Sequence, residues 1–116
     1  MSAECVVVVA HDAGGAEILS SLVRRERAAD LRQHVFVLEG PARQIFAAKL
    51  GAPENLPLDE ALAMSSSVLC GTGWQSMLET DAIALARAQD KRSVAFLDHW
   101  VNYRERFIRR GEWVLP

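Results

Sequence analysis

Residues 67–107, SVLCGTGWQSMLETDAIALARAQDKRSVAFLDHWVNYRERF, decide the fold. Ser67 leads into a short apolar run, Val68 to Cys70, which stops at Gly71-Thr72-Gly73. A segment of helical period follows, with Leu78, Ala82, Leu85 and Ala86 on one stripe. A second apolar run, Val94 to Leu97, then breaks off into Asp98-His99-Trp100-Val101-Asn102-Tyr103-Arg104. Strand, glycine turn, helix and strand make one βαβ unit, and parallel α/β sheets carry their chemistry at the carboxyl ends of the strands.

The preceding residues repeat the plan. Cys5-Val6-Val7-Val8-Val9-Ala10 is apolar and largely β-branched with no polar alternation, as expected of a central strand covered on both faces. It breaks at His11-Asp12-Ala13-Gly14-Gly15 into a helical stripe of Ile18, Leu19, Leu22 and Val23, with Ser20, Ser21, Arg24, Arg25 and Arg27 facing away. His34 to Leu38 is the next strand, ending at Glu39-Gly40. Pro41 suits a helix start and Gly51 its end, with Ala42, Ile45, Phe46 and Leu50 inward. Residues 52–58, with two prolines, read as a loop, and Asp59 to Met64 as a short helix. The long helix is expected to start between Gly73 and Ser76, where Thr72-x-x-Gln75 and Ser76-x-x-Glu79 compete as capping boxes. Tyr103 to Arg109 reads as a short helix and Trp113-Val114-Leu115 as an edge strand.

This alternation predicts an α/β chain: one three-layer Rossmann-like domain over residues 1–116, with a mainly parallel sheet of about five strands. Right-handed crossovers would put both glycine turns on one edge of the sheet.

Composition narrows the partners. Half of the 116 residues are hydrophobic and 24% charged, a globular profile. A net charge of −2 gives no global attraction for nucleic acid or an anionic membrane. Eleven arginines against two lysines favour local, planar anion contacts. Cys5 and Cys70 lie in or beside apolar strands, with no metal-ligand spacing, and read as buried thiols. Val6 to Ala10 is too short for a signal-peptide core, and no apolar run approaches the ~20 residues of a membrane span. A cytoplasmic location is therefore expected.

Three clusters carry candidate chemistry. Gly71, Thr72 and Gly73 would let a ligand approach backbone at a helix amide end, as phosphate or sugar-hydroxyl contacts. A dinucleotide fingerprint would have a third glycine where Ser76 stands, and a plain tight turn explains the same residues. His11, Asp12, Gly14 and Gly15 form the same device one unit earlier, with a group able to act as general base. Asp12 is next in sequence, so Asp98, beyond a neighbouring strand, is the expected partner of His11 as a catalytic pair. The bland alternative has His11 and Asp12 lining a solvated helix cap.

Asp98, His99, Trp100, Tyr103, Arg104 and Arg106 form the third cluster. Its aromatic residues could stack on a sugar or base while its arginines contact phosphate. A core-closing turn followed by a solvated basic helix face explains them equally. Glu79, in the first turns of the long helix, would complement the dipole or reach a ligand. Trp113, Val114 and Leu115 leave an apolar edge for a second domain or a second copy of the chain.

The opening VVVVAHDAGGAEIL, the turn GTGWQSMLE and the segment VAFLDHWVNYRERF together resemble the N-terminal Rossmann-like half of GT-B-type sugar enzymes. That group includes nucleotide-sugar glycosyltransferases and UDP-N-acetylglucosamine 2-epimerases, especially those of bacterial polysaccharide biosynthesis. The resemblance spans nearly the whole chain. It implies an acceptor-binding half, with His11 as a base just after the first strand and Gly14 and Gly15 as its loop. A nucleotide-sugar would be the substrate, with no tightly bound cofactor. The donor would bind mainly on a C-terminal half outside these 116 residues, so no autonomous transferase activity is expected. A stand-alone nucleotide or sugar-phosphate binding module is the alternative.

Overall fold

The computed structural model describes residues 4–51, 53–71 and 77–96, together with the backbone of residues 108–109 and 112–113. Four parallel strands form the main sheet: β1 (Cys5–Ala10), β2 (Gln33–Leu38), β3 (Ser67–Cys70) and β4 (Arg92–Ala95), in the order β2-β1-β3-β4. Helices α1 (Ala13–Ala28) and α2 (Pro41–Leu50) cover one face. Helices α3 (Leu58–Ala63) and α4 (Leu78–Ala88) cover the other. The chain is thus a three-layer α/β domain of Rossmann-like type.

The valine run explains why β1 is central. Val6, Val8 and Ala10 point into the α1/α2 layer with Leu19, Val23 and Phe46, while Val7 and Val9 point into the α3/α4 layer with Leu62, Val68 and Ile83. Residues Val6 to Ala10 are completely buried, and each buried valine side chain contributes roughly 1.5–3 kcal/mol of transfer free energy. No charged residue fits such a strand unless it is paired.

Several boundaries differ from the sequence pattern. Ile18 is partly exposed, and the buried face of α1 carries Ser20 and Glu26. Ser20 Oγ donates to the Glu17 carbonyl (3.2 Å), satisfying its hydroxyl within the helix. Among the described residues, Trp113 does not extend the parallel sheet as its fifth strand. It lies in β6 (Glu112–Trp113), antiparallel to β5 (Ile108–Arg109), in a separate two-stranded ladder. The two-residue spacing between Arg109 and Glu112 is that of a hairpin, and it overrides the expected helix at Ile108 and Arg109. Residues 103–107, Val114 and Leu115 lie outside the described residues.

The outer edge of β2 is closed by a side chain. Asn55 accepts the Leu38 N–H (2.7 Å) and donates to the Leu38 carbonyl (2.8 Å), while the Leu56 N–H bonds the Phe36 carbonyl (2.9 Å). No helix among the described residues is long and apolar enough to cross a membrane.

Candidate functional site

Between β1 and β3 the chain leaves the sheet in opposite senses: β1 runs on into α1 on one face, β3 toward α4 on the other. The carboxyl ends of two such strands open a crevice. Gly15, from the first glycine turn, and Gly71, which opens the second, meet there. A Cβ built on Gly71 would stand 3.2 Å from the Gly15 Cα and 2.5 Å from Glu79 Oε2. Gly71 is thus explained by the packing of α1 and α4 against it.

His11 follows β1 directly. Its Nδ1 is hydrogen-bonded to the Asp12 carboxylate Oδ1, and about a fifth of each side chain is exposed. Sequence adjacency had argued against this pairing, yet the bend between β1 and α1 brings the two side chains together. Asp12 occupies the N-cap of α1, but its carboxylate makes no cap hydrogen bond, and the first turn of α1 holds no acid. The cap position and the imidazole compete for one carboxylate, and the imidazole has it.

The ring lies against Gly40, just past the end of β2. A Cβ there would stand 2.8 Å from His11 Nε2 and 3.1 Å from Cδ2, and Gly40 has a φ of +55°. Glycine suits the position on both counts. Backbone bonds fix the approach: Glu39 N–H to the Ala10 carbonyl (3.0 Å) and Ala42 N–H to the His11 carbonyl (3.1 Å). Glu39 therefore stands next to the histidine. Arg43 Nε donates to the Leu38 carbonyl (3.1 Å), which sets its guanidinium at the same sheet end. The sequence hinted at this group only through a strand ending in an acid, Glu39, before Gly40-Pro41.

Glu79 is 2% exposed, deeper than a dipole-complementing surface acid would sit. Burial, and then the charge of Glu79, hold the Cys70 thiol well above its usual range. α4 starts at Leu78 with Met77 as its N-cap, later than the capping boxes suggested, and Glu79 and Asp81 occupy its first turn. Two acids at that amide end work against an anion, whereas the acid-free start of α1 does not.

His11, Asp12, Gly14, Gly15, Gly71 and Glu79 therefore share one sheet edge. Thr72, Gly73, Asp98, His99, Trp100, Tyr103, Arg104 and Arg106 lie outside the described residues. β3 stands between β1 and β4, so the strand that precedes Asp98 is not the direct neighbour of β1 that was expected. Among the described residues, it is Asp12 that His11 contacts.

At the opposite end of the sheet a second polar network joins α1 to β2. The Glu26 carboxylate accepts two bonds from Arg32 (both 2.9 Å) and contacts the His34 Nε2 (2.7 Å), with the His34 side chain 1% exposed. Arg32 and then His34 hold the Glu26 carboxyl below its ordinary range. This network is remote from the crevice and fastens the helix end to the strand start. A hollow of about 490 Å³ beside Ile18, Leu22 and Phe96 lies along α1, away from the paired histidine. Among the described residues, no group of three or more His, Cys, Asp or Glu side chains could hold a metal ion. No protein-family model, curated protein or solved structure matches the chain.

Proposed function

We propose that the chain is the acceptor-binding domain of a nucleotide-sugar-dependent glycosyltransferase or sugar epimerase of polysaccharide biosynthesis. The observation that carries this reading is the His11–Asp12 pair at the carboxyl end of the central strand, beside a switch point. Asp12 takes the Nδ1 proton in a hydrogen bond and so favours the tautomer whose Nε2 lone pair can accept a proton. A sugar hydroxyl lying against Nε2 would give its proton to that nitrogen as its oxygen bonds the donor's anomeric carbon, whose bond to the phosphate oxygen breaks to release the nucleotide. The resemblance of VVVVAHDAGGAEIL to such halves supports the same role for His11.

The test is kinetic. In an active enzyme carrying this domain, His11→Ala lowers turnover on the order of 10²-fold or more with the fold intact, and Asp12→Asn lowers it less. Unchanged turnover in His11→Ala removes the reading. The acid-free first turn of α1, with Ala13, Gly14 and Gly15, favours a second reading, a nucleotide-binding module without histidine chemistry. Calorimetry with UDP, UDP-sugars and NAD separates the two. Saturable nucleotide binding to this chain alone, unaffected by His11→Ala, favours the module.

A further inference from the structure

Where β2 ends, a cavity of about 330 Å³ opens between that strand end, Leu56 and Pro57 with Leu58 at the start of α3, and Leu78 at the start of α4. Its lining surface is about half polar and half apolar, and its charged groups are Glu39 and Arg43. A second hollow of about 220 Å³ shares Leu38, Arg43 and Asn55 with it and runs on toward Ala47 and Pro53. The first volume lies at the small end of the range for ligand sites, roughly 300–1,000 Å³.

Each polar group in the cavity has a definable capacity. Asn55 spends its amide on both backbone groups of Leu38 and so shapes the wall. Arg43 uses Nε on the Leu38 carbonyl, which anchors the side chain, and among the described residues its two Nη groups have no partner, so they can take an anion. Glu39 is exposed and has a backbone bond to Ala10 but no side-chain bond among the described residues. Its two carboxylate oxygens can each accept from a neighbouring hydroxyl. A lining of mixed polarity, an acceptor pair for two adjacent hydroxyls and a forked cation suit one chemistry.

We infer that this cavity is a subsite for a phosphorylated sugar with a vicinal diol, either free or as the ribose of a nucleotide. Glu39 takes the diol and Arg43 the phosphate. The inference rests on the reading of the crevice as an acceptor site and names the class of acceptor. His11 packs against Gly40, the residue after Glu39, so the histidine lies at this end of the sheet, although it does not line the cavity itself.

Calorimetry with ribose 5-phosphate, UMP and the 2′,3′-dideoxy form of UMP tests it, on the wild-type chain and on Glu39→Gln, with circular dichroism to confirm the fold. The expected result is saturable binding of at least one diol probe, weakened roughly tenfold or more by Glu39→Gln. The dideoxy probe should bind both proteins equally weakly. Binding of UMP without ribose 5-phosphate identifies the nucleotide as the source, and the reverse the free sugar phosphate. No saturable binding of either diol probe, or affinity indifferent to Glu39→Gln, overturns the inference. The two readings fail separately. Turnover lost in His11→Ala with no effect of Glu39 keeps the acceptor role and removes the subsite. Glu39-dependent binding with full turnover in His11→Ala does the opposite.

Discussion

The Glu79 carboxylate is packed against Gly71, with Oε2 2.5 Å from where a Cβ on that glycine would stand. α4 meets the end of β3 through this contact, and a carboxyl group is held there at 2% exposure. Gly71→Ala must displace Glu79 or push α1 away at Gly15. We expect a loss of about 1–3 kcal/mol in denaturant unfolding, the usual scale of overpacking. Pairing it with Glu79→Ala should give a double-mutant cycle that departs clearly from additivity. Additive losses would show that the two residues do not share the space.

Gly40→Ala tests the neighbouring contact. The substitution adds a methyl beside the His11 imidazole and places alanine at a φ of +55°. Strain of this kind costs on the order of 1–3 kcal/mol. The His11 ring resonances should move, while those of His34, at the other end of the sheet, should not. NMR of the histidine ring protons reads both, and an unmoved His11 would dissociate the glycine from the imidazole.

The Glu26 network makes a pH prediction with a definite sign. Its carboxyl is held below its ordinary 4.5 by Arg32 first and His34 after it. A depressed carboxyl contributes stability above its unfolded-state value and loses it as pH falls through the folded value. Arg32→Met should therefore cost about 1.5–3 kcal/mol near neutrality, the worth of hydrogen bonds to a charged group. The difference from wild type should shrink once pH drops below about 4.5. Parallel urea curves at pH 7 and pH 3 decide this, and an equal gap at both would remove Glu26 from the explanation.

Cys70 should be inert in the folded chain. It is completely buried, and burial holds its thiol up, so the thiolate that reacts with alkylating reagents is scarce. Cys5 is only half-buried. Iodoacetamide at pH 8 should modify Cys5 first and reach Cys70 only as the protein unfolds. Equal rates, read by mass spectrometry, would mean that the β3 end opens locally.

Much of this was legible in the residues. The continuous run Cys5–Ala10 required a strand buried on both faces, and Pro41 and Gly51 bracket α2 as expected. His11 and Asp12 were identified as a polar end to that strand, though their pairing was not. Adjacent side chains on a regular strand point to opposite faces, and only the bend into α1 brings these two together. The strand order was hidden too, because chain order does not say that β3 lies between β1 and β4. The Glu26–Arg32–His34 cluster looks in sequence like solvated charge, since it spans a helix end and a strand start that meet only in the fold. Glu39, Gly40 and Arg43 were hidden for the same reason. Their relation to His11 depends on the register of β1 against β2, in which Ala10 is opposite Leu38.

The position of β1 has a consequence for how the protein is made. Of the four strands of this sheet β1 is made first, yet its neighbours are residues 33–38 on one side and 67–70 on the other. Until Cys70 has emerged, one edge of Val6–Val9 has no partner strand, and the run is among the most aggregation-prone patterns a chain can carry. Early pairing with β2 protects only half of it. The third strand must close a loop of some sixty residues, a non-local step that slows folding. The vulnerable interval therefore runs from the synthesis of β1 to the docking of β3. A pause in translation before residue 67 would lengthen it, and a chain cut short in that interval should need a chaperone to stay in solution.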